Sequence, residues 1–423
     1  MALYLFYVSI LSVFLFIRVY NYLIPSLPMP PPRIFSLPRS PDFSLRQIIL
    51  AYGGRFSDEL MGGLPDVLMP TIQQQLGLSL AQIGLLRQAM EWVSQVIDPI
   101  HGLLLDVWDR SWLMGLGAAG AGLSILLIGL APTFALLLLA FALYGAAGGP
   151  LTHTGDVLVV EAYPSAPDRA YTRSVLFDTI GAALAPLLVA LVFWLGLPWQ
   201  WLLAGIGGCG LVYGLLILRT GFPRPAAHAE REESVSLWRT LRGNVREVLA
   251  SPEARRWLIF LFFFDLLETP FVLKTVWLAQ EVGMSQALVG VYVAAEMGVG
   301  IVSLLVLDRW RARAETGHVL RVVTTAVALL FPLWLLIPGV YSRFVLMLPL
   351  TFFFSMFWPI SKASALTSAP GRAGAVTAVS SLFGFVPFPL LFALLAQAIG
   401  LTAAMLAVFL PAVAVIGWLV RDA

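Results

Sequence analysis

The chain has 423 residues, 59% of them hydrophobic and only 12% charged, and its mean hydropathy is +0.87. Water-soluble domains carry about a quarter charged residues, so a chain of this length could not hide so much apolar surface from water, and lipid must be its solvent. The formal net charge of +2 gives no reason to expect a nucleic-acid partner, because the basic residues are spread over membrane-flanking loops and form no single patch.

In chain order, residues 2–24 form a first apolar segment, followed by a proline-rich stretch (Pro25, Pro28, Pro30, Pro31, Pro32) that cannot continue a helix. Three readings compete. A signal peptide should begin with basic residues, yet no charge precedes Arg18. A thirteenth helix with its amino end outside fits the basic residues that follow. A start at Met29 would remove the segment altogether. The helix is the preferred expectation, and no step of the mechanism depends on it.

Beyond residue 45, apolar stretches of about 20 residues, each long enough for a bilayer core of about 30 Å, mark twelve spans. They are placed at 46–73, 80–105, 111–131, 134–160, 172–195, 199–219, 256–281, 286–307, 317–338, 343–363, 374–398 and 401–420. Helices are required because lipid offers no partner to an unpaired backbone group. This gives an all-α membrane protein in four parts: 1–45, a six-helix bundle at 46–219, a linker at 220–255, and a second six-helix bundle at 256–423. Within the linker, Ser236–Leu249 has Leu237, Trp238, Leu241, Val245 and Val248 on one side and is expected to lie on the inner membrane surface. The lone cysteine, Cys209 in the sixth span, excludes intrachain disulfides and reads as a small packing residue.

The two bundles are copies. Pro65-Asp66-Val67-Leu68 and Leu76-Gly77-Leu78-Ser79 through Gly84 recur as Pro270-Phe271-Val272-Leu273 and Val282-Gly283-Met284-Ser285 through Gly290, with one inserted residue. Arg169-Ala170, Gly181 and Pro186-Leu187-Leu188 recur as Arg372-Ala373, Gly384 and Pro389-Leu390-Leu391. Duplicated membrane bundles of this kind pack around a central site. Orientation follows from charge: 20 of the 26 Lys and Arg fall in segments that share one side if residue 46 starts inside, and only Arg343 falls in an outer loop.

The segment Gly102-Leu103-Leu104-Leu105-Asp106-Val107-Trp108-Asp109-Arg110 resembles the inner-loop signature of the major facilitator superfamily (MFS). Gly102, Asp106 and Arg110 stand where that signature expects them, while Asp109, Val107 and Ser111 depart from it. A degenerate second copy, Asp308-Arg309 followed by Arg311 and Arg313, ends the eighth span. The resemblance implies the MFS fold, two pseudo-symmetric six-helix bundles that transport by alternating access, and it makes these residues an inner gate motif. It also implies a cavity lined by the first, fourth, seventh and tenth spans. The fourth and fifth spans, with Gly145, Gly148, His153, Arg169, Gly181 and Pro186, are similar to the fosmidomycin-resistance branch of drug exporters. Gly181–Pro186 resembles part of an antiporter signature, but Ala185 replaces its glycine before the proline, which weakens an efflux assignment.

Buried charges agree with a polar pathway, since an ionised side chain at mid-membrane costs about 2.5–3.5 kcal/mol unless it faces a cavity or a partner. Arg55, Asp58 and Glu59 are in the first span, His153 and Asp156 in the fourth, Asp178 in the fifth, Asp265, Glu268 and Lys274 in the seventh, and Lys362 in the tenth. Arg55 with Glu59, and Arg87 with Glu91, are spaced to neutralise one another along one helix. Lys274, roughly 27 Å along its helix, is expected to snorkel to the outer interface. Asp58, Asp265 and Glu268 have no evident local partner and are the candidates for ion coupling, with a proton or sodium as the ion. Arg55, Glu59, His153, Asp156, Asp178 and Lys362 are the candidates for the substrate cavity. His153 and Lys362 follow Pro150 and Pro359 by three residues, so as equivalent cations they could hold an anionic or zwitterionic substrate; the alternative is that they pair with buried acids.

The expected function is therefore proton-coupled secondary transport of a small molecule, with efflux favoured and a uniporter or importer as the alternative. A polytopic membrane enzyme would normally cluster its catalytic groups at one interface, and His101, His228 and His318 have no such company. No phosphate-cradling loop or metal-ligand pair is evident. A transporter-derived sensor stays open. No cofactor and no protein partner are expected, a monomer in the lipid bilayer is, and 24 arginines against two lysines (Lys274 and Lys362) suggest a prokaryotic cytoplasmic membrane.

Overall fold

The computed structural model describes residues 40–105, 108–165, 167–223, 245–311, 315–369 and 373–421. The apolar segment 2–24, the inner-gate residue Asp106 and all but the end of the Ser236–Leu249 helix lie outside the described residues.

The six spans of the first bundle are Leu45–Leu76, Leu80–Leu104, Arg110–Leu130, Phe134–Ala162, Pro167–Trp194 and Trp199–Thr220. In the second bundle the eighth, ninth and twelfth spans are continuous, at Gln286–Arg311, Thr316–Leu336 and Leu401–Arg421. The other three are broken. The seventh runs Pro252–Glu268, passes through a 3₁₀ turn at Thr269–Leu273 and resumes at Lys274–Gln280. The tenth is split into Val340–Phe354 and Phe357–Thr367, and the eleventh into Ala373–Ser381, a 3₁₀ turn Leu382–Phe385, and Phe388–Ile399. Proline explains the seventh and eleventh breaks: Pro270 and Pro387 remove a backbone donor and cannot follow an undistorted helical turn.

Among the described residues nine helices are apolar and long enough to cross a membrane by composition alone. The first, second and seventh spans fall outside that set. These are the helices that carry Arg55, Asp58 and Glu59, then Arg87 and Glu91, then Asp265, Glu268 and Lys274, and those charges lower their apolar character. The third and sixth spans have the opposite character and pack glycine against glycine. A Cβ at Gly122 would lie 2.6 Å from the Gly207 carbonyl, and one at Gly214 would lie 2.6 Å from that of Gly115.

The repeated segments build the seam between the bundles. Gly77 and Gly283 both take positive φ, 62° and 75°, and so end the first and seventh spans in the left-handed conformation that glycine tolerates. Ser79 and Ser285 then cap the next helices, accepting from the amides of Gln82 and Leu288. One turn further on, Gly84 touches the eleventh span: a Cβ there would sit 2.8 Å from the Pro389 carbonyl oxygen. Its copy Gly290 touches the fifth span, where a Cβ would sit 2.6 Å from the Pro186 carbonyl oxygen. Pro186 and Pro389 are themselves copies, so both repeated motifs meet at one pseudo-twofold interface.

Hydrogen bonds join the halves from this end to mid-membrane. Thr275 donates to the Asp66 carbonyl at 2.9 Å, Gln280 to Gln73 at 2.9 Å, Thr71 to Gln286 at 3.2 Å, and Trp92 to the Phe385 carbonyl at 3.2 Å. In the orientation given by the arginines this is the outer end. At the opposite end Val248, from the expected surface helix, is buried with Leu258, Leu261 and Ala365. The described end of that helix therefore packs on the second bundle through Val248.

Candidate functional site

In the first bundle the charges find partners across helices. Arg55 does not pair with Glu59 along its own helix. Its guanidinium reaches the fourth span, donating to both Asp156 oxygens at 2.7 and 2.6 Å, and the fifth, donating to Asp178 at 3.0 Å. Tyr171 lies beneath it and accepts at 3.1 Å, while Ser174 donates to Asp156. Arginine's planar fork suits this bridging of three helices. Asp58, expected to lack a partner, accepts from the Tyr144 hydroxyl at 2.9 Å. The same hydroxyl lies 2.7 Å from the Asp58 backbone carbonyl. Glu59 has no hydrogen bond or ion pair among the described residues. Gly181 lets the fifth span approach here, since a Cβ would lie 2.4 Å from the Phe56 carbonyl. In this chain the antiporter-like fragment therefore serves helix packing.

The second expected pair is also replaced. Arg87 binds Asp66 of the first span, at 2.9 and 3.0 Å, and not Glu91. Lys274 does not snorkel outward: it is bound to Glu296 of the eighth span, and both side chains are largely buried. Helix-packing geometry decides these cases, because a residue across the interface is nearer than one a turn away on the same helix.

His153 faces Asp98 of the second span at 3.9 Å, and His101 beside it lies 3.0 Å from the Thr154 hydroxyl. A Cβ at Gly149 would lie 1.9 Å from the Asp98 carboxylate, so a larger residue there would displace that side chain. Lys362 donates to Ser380 at 3.1 Å and lies over the Trp358 ring. His153 and Lys362, expected to act as an equivalent pair, thus belong to separate local networks. Of the inner-gate residues, Arg110 is buried and grips Glu161, one contact being 2.9 Å. Gly102 lies at the end of the second span with open space where a Cβ would be, and Asp308 and Arg309 lie in the last turn of the eighth.

Two cavities lie along the face of the second bundle that meets the first. One, of about 380 Å³, is bounded by the seventh, eighth and tenth spans with Thr179 of the fifth; Glu268, Lys274, Glu296, Phe271, Met297 and Phe354 are in its wall. The other, of about 360 Å³, lies between the second, seventh and eleventh spans and includes Glu91, Gln95, Asp265, Ser380 and Phe383. Glu268 borders both. Glu91, Asp265 and Glu268 have no hydrogen bond or ion pair among the described residues. The space therefore carries acids bonded to no cation, although Lys362 acts on Asp265 and Arg87 on Glu91 through space, with an aromatic wall on one side. Among the described residues no three His, Cys, Asp or Glu are placed to hold a metal ion.

Sequence reading missed Asp66, Asp98, Tyr144 and Glu296, and it took Glu91 as a partner of Arg87. Glu296 had a usable signal, being a single acid within an otherwise apolar span. Tyr144 had none, because its role depends on the helix it faces.

The sequence model of the Major Facilitator Superfamily matches residues 51–391. An MFS-type transporter of Bacillus subtilis (strain 168), YfnC, is 24% identical over 170 residues, which is 39% of this chain and 41% of that protein's length. Among solved structures, an inward-facing, unoccupied bacterial homologue of the human lysosomal transporter Spinster superposes with a TM-score of 0.71 at 16% identity, covering 90% of this chain and 98% of the other. The nucleoside transporter NupG superposes with a TM-score of 0.68 at 15% identity, covering 89% and 97%. With a duplicated bundle, a seam built from repeated motifs and charged cavities beneath it, the chain belongs to the major facilitator superfamily, a family of transporters and not of enzymes.

Proposed function

We propose that the protein is a proton-coupled secondary transporter that exports a small amphiphilic molecule across the cytoplasmic membrane as a monomer. The observation that carries this reading is a set of carboxylates, Glu91, Asp265 and Glu268, that border one cavity with no hydrogen bond or ion pair among the described residues, beneath a seam that joins the two halves from one end to mid-membrane. With residue 46 inside, the seam is the outer gate and the cavities are approached from the cytoplasm.

A carboxylate at this depth is costly as an ion, so the closed intermediate of alternating access is favoured when the acid holds either a proton or a cargo group. Binding one excludes the other, which couples them. A proton moving inward down a gradient of one pH unit supplies about 1.4 kcal/mol, enough for about tenfold accumulation of cargo. Asp265 and Glu268 are the exchanging groups. Asp58, already satisfied by Tyr144, is assigned to the proton path alone, and Arg55 with Asp156 and Asp178 forms the rigid frame.

The test is flux in proteoliposomes under an imposed pH gradient, with a sodium gradient in parallel. Flux driven by the pH gradient, and lost in Asp265→Asn and Glu268→Gln, is expected. A broad compound panel with no gradient-driven flux would overturn the coupled reading, and flux driven only by sodium would replace the ion.

A further inference from the structure

We propose that the cargo is an amphiphilic organic cation and that it binds in the 380 Å³ cavity, with the Glu268 carboxylate as its countercharge. This deepens the export reading above and rests on it for the word cargo; the site itself rests on geometry.

The first element is charge balance. Lys274 and Glu296 face the cavity as a bound pair, so their charges cancel. Lys362 is held by Ser380 and Trp358 and borders neither cavity. Glu268 has no hydrogen bond or ion pair among the described residues, and the charged group that acts on it is another acid, Asp265 one turn back. An anionic ligand would be repelled here, and a neutral one would leave Glu268 unpaired.

The second element is the wall. Phe271 and Phe354 stand 4.9 Å apart between ring centroids, beside Met297. Aromatic faces attract cations and cover apolar bodies, and a flexible thioether adapts to irregular shapes. A volume of about 380 Å³ is in the range of about 300–1,000 Å³ typical of small-molecule sites.

The third element is independent of side-chain charge: the cavity lies where two helices break. Glu268 is the last residue of Pro252–Glu268, and Phe354 is the last of Val340–Phe354. Interrupted membrane helices are where transporters expose backbone to a ligand.

The experiment uses the full-length protein in lipid nanodiscs and tritiated benzyltrimethylammonium, with N,N-dimethylbenzamide and phenylacetate as neutral and anionic competitors of similar size. The wild type is expected to bind the cation at least tenfold more tightly than either competitor. Glu268→Gln is expected to lose at least tenfold in cation affinity while its affinity for the benzamide is unchanged. Equal binding of all three compounds, or full cation affinity in a folded Glu268→Gln protein, would overturn the proposal.

Should the variant not fold, the wild type answers alone. Saturating cation, unlike the benzamide, should slow dicyclohexylcarbodiimide labelling of Glu268 as read by peptide mass spectrometry, and unslowed labelling counts against the site. Proton-driven flux of an anion without cation binding removes this inference and leaves the coupled transporter standing. Cation binding without proton-driven flux sustains the site and removes the coupling.

Discussion

The two bundles arose as copies, yet they treat charge in opposite ways. In the first, Arg55 is shared by Asp156 and Asp178, and Asp58 is held by Tyr144. In the second, Asp265 and Glu268 face open space. The backbones differ to match: the first bundle's spans run unbroken, whereas the seventh, tenth and eleventh are interrupted where the cavities lie. Even the ion pairs between the leading helices are reversed, with acid on the first span and base on the second (Asp66, Arg87), but base on the seventh and acid on the eighth (Lys274, Glu296). A satisfied network rigidifies, and an unsatisfied one can exchange its partner. On the proposed reading the Arg55 network is the frame, and the space around Asp265 and Glu268, with Glu91 of the first bundle, is the binding surface.

The comparison can be broken by removing the frame's centre. Arg55→Met leaves two mostly buried carboxylates unpaired and is expected to destabilise the protein by on the order of 3 kcal/mol, seen as a lower Tm in detergent. An unchanged Tm would mean that the network is not structural. Next in size is the seam: Gly84→Leu or Gly290→Leu drives a side chain into a neighbouring backbone and should cost about 2 kcal/mol of outer closure. Spin labels at Thr71 and Gln286 should then report a longer distance and transport should fall; an unaltered distance would separate the glycine contacts from gating.

Lys274→Met strands Glu296 and is expected to cost about 2 kcal/mol, most of it recovered in Lys274→Met with Glu296→Met, because an apolar pair of similar volume replaces a buried ion pair at little cost. Failure of the double variant to recover would show that the pair has a role beyond neutralisation. Smallest is Glu268→Gln, which should shift stability by less than about 0.5 kcal/mol because no partner is lost. A large drop in Tm would reveal a bond that the frame-and-surface comparison denies.

The fold was legible because it rests on patterns local in sequence. Apolar runs of membrane length gave the spans, and the repeats gave the two halves. The same repeats also marked the outer seam, although only as matching letters: Gly84 and Gly290 could be seen to correspond, but not to touch Pro389 and Pro186. Charge partners were mostly misread. Arg55 with Glu59 and Arg87 with Glu91 satisfy helical spacing, yet each arginine reaches a residue on another helix, 101 positions away for Asp156 and 21 for Asp66. Lys274 was expected at the interface because distance along a helix says nothing of a partner on the next one.

The sequence by itself thus determined the solvent, the number of spans, their duplication and which helices carry charge, because lipid imposes length, hydropathy and an internally bonded backbone on each segment separately. Only the tertiary structure decided which charges are spent on one another and which remain available to a ligand. That choice depends on distances of a few ångströms between helices far apart in the chain, where an ion pair or an empty cavity can follow from the same residue type.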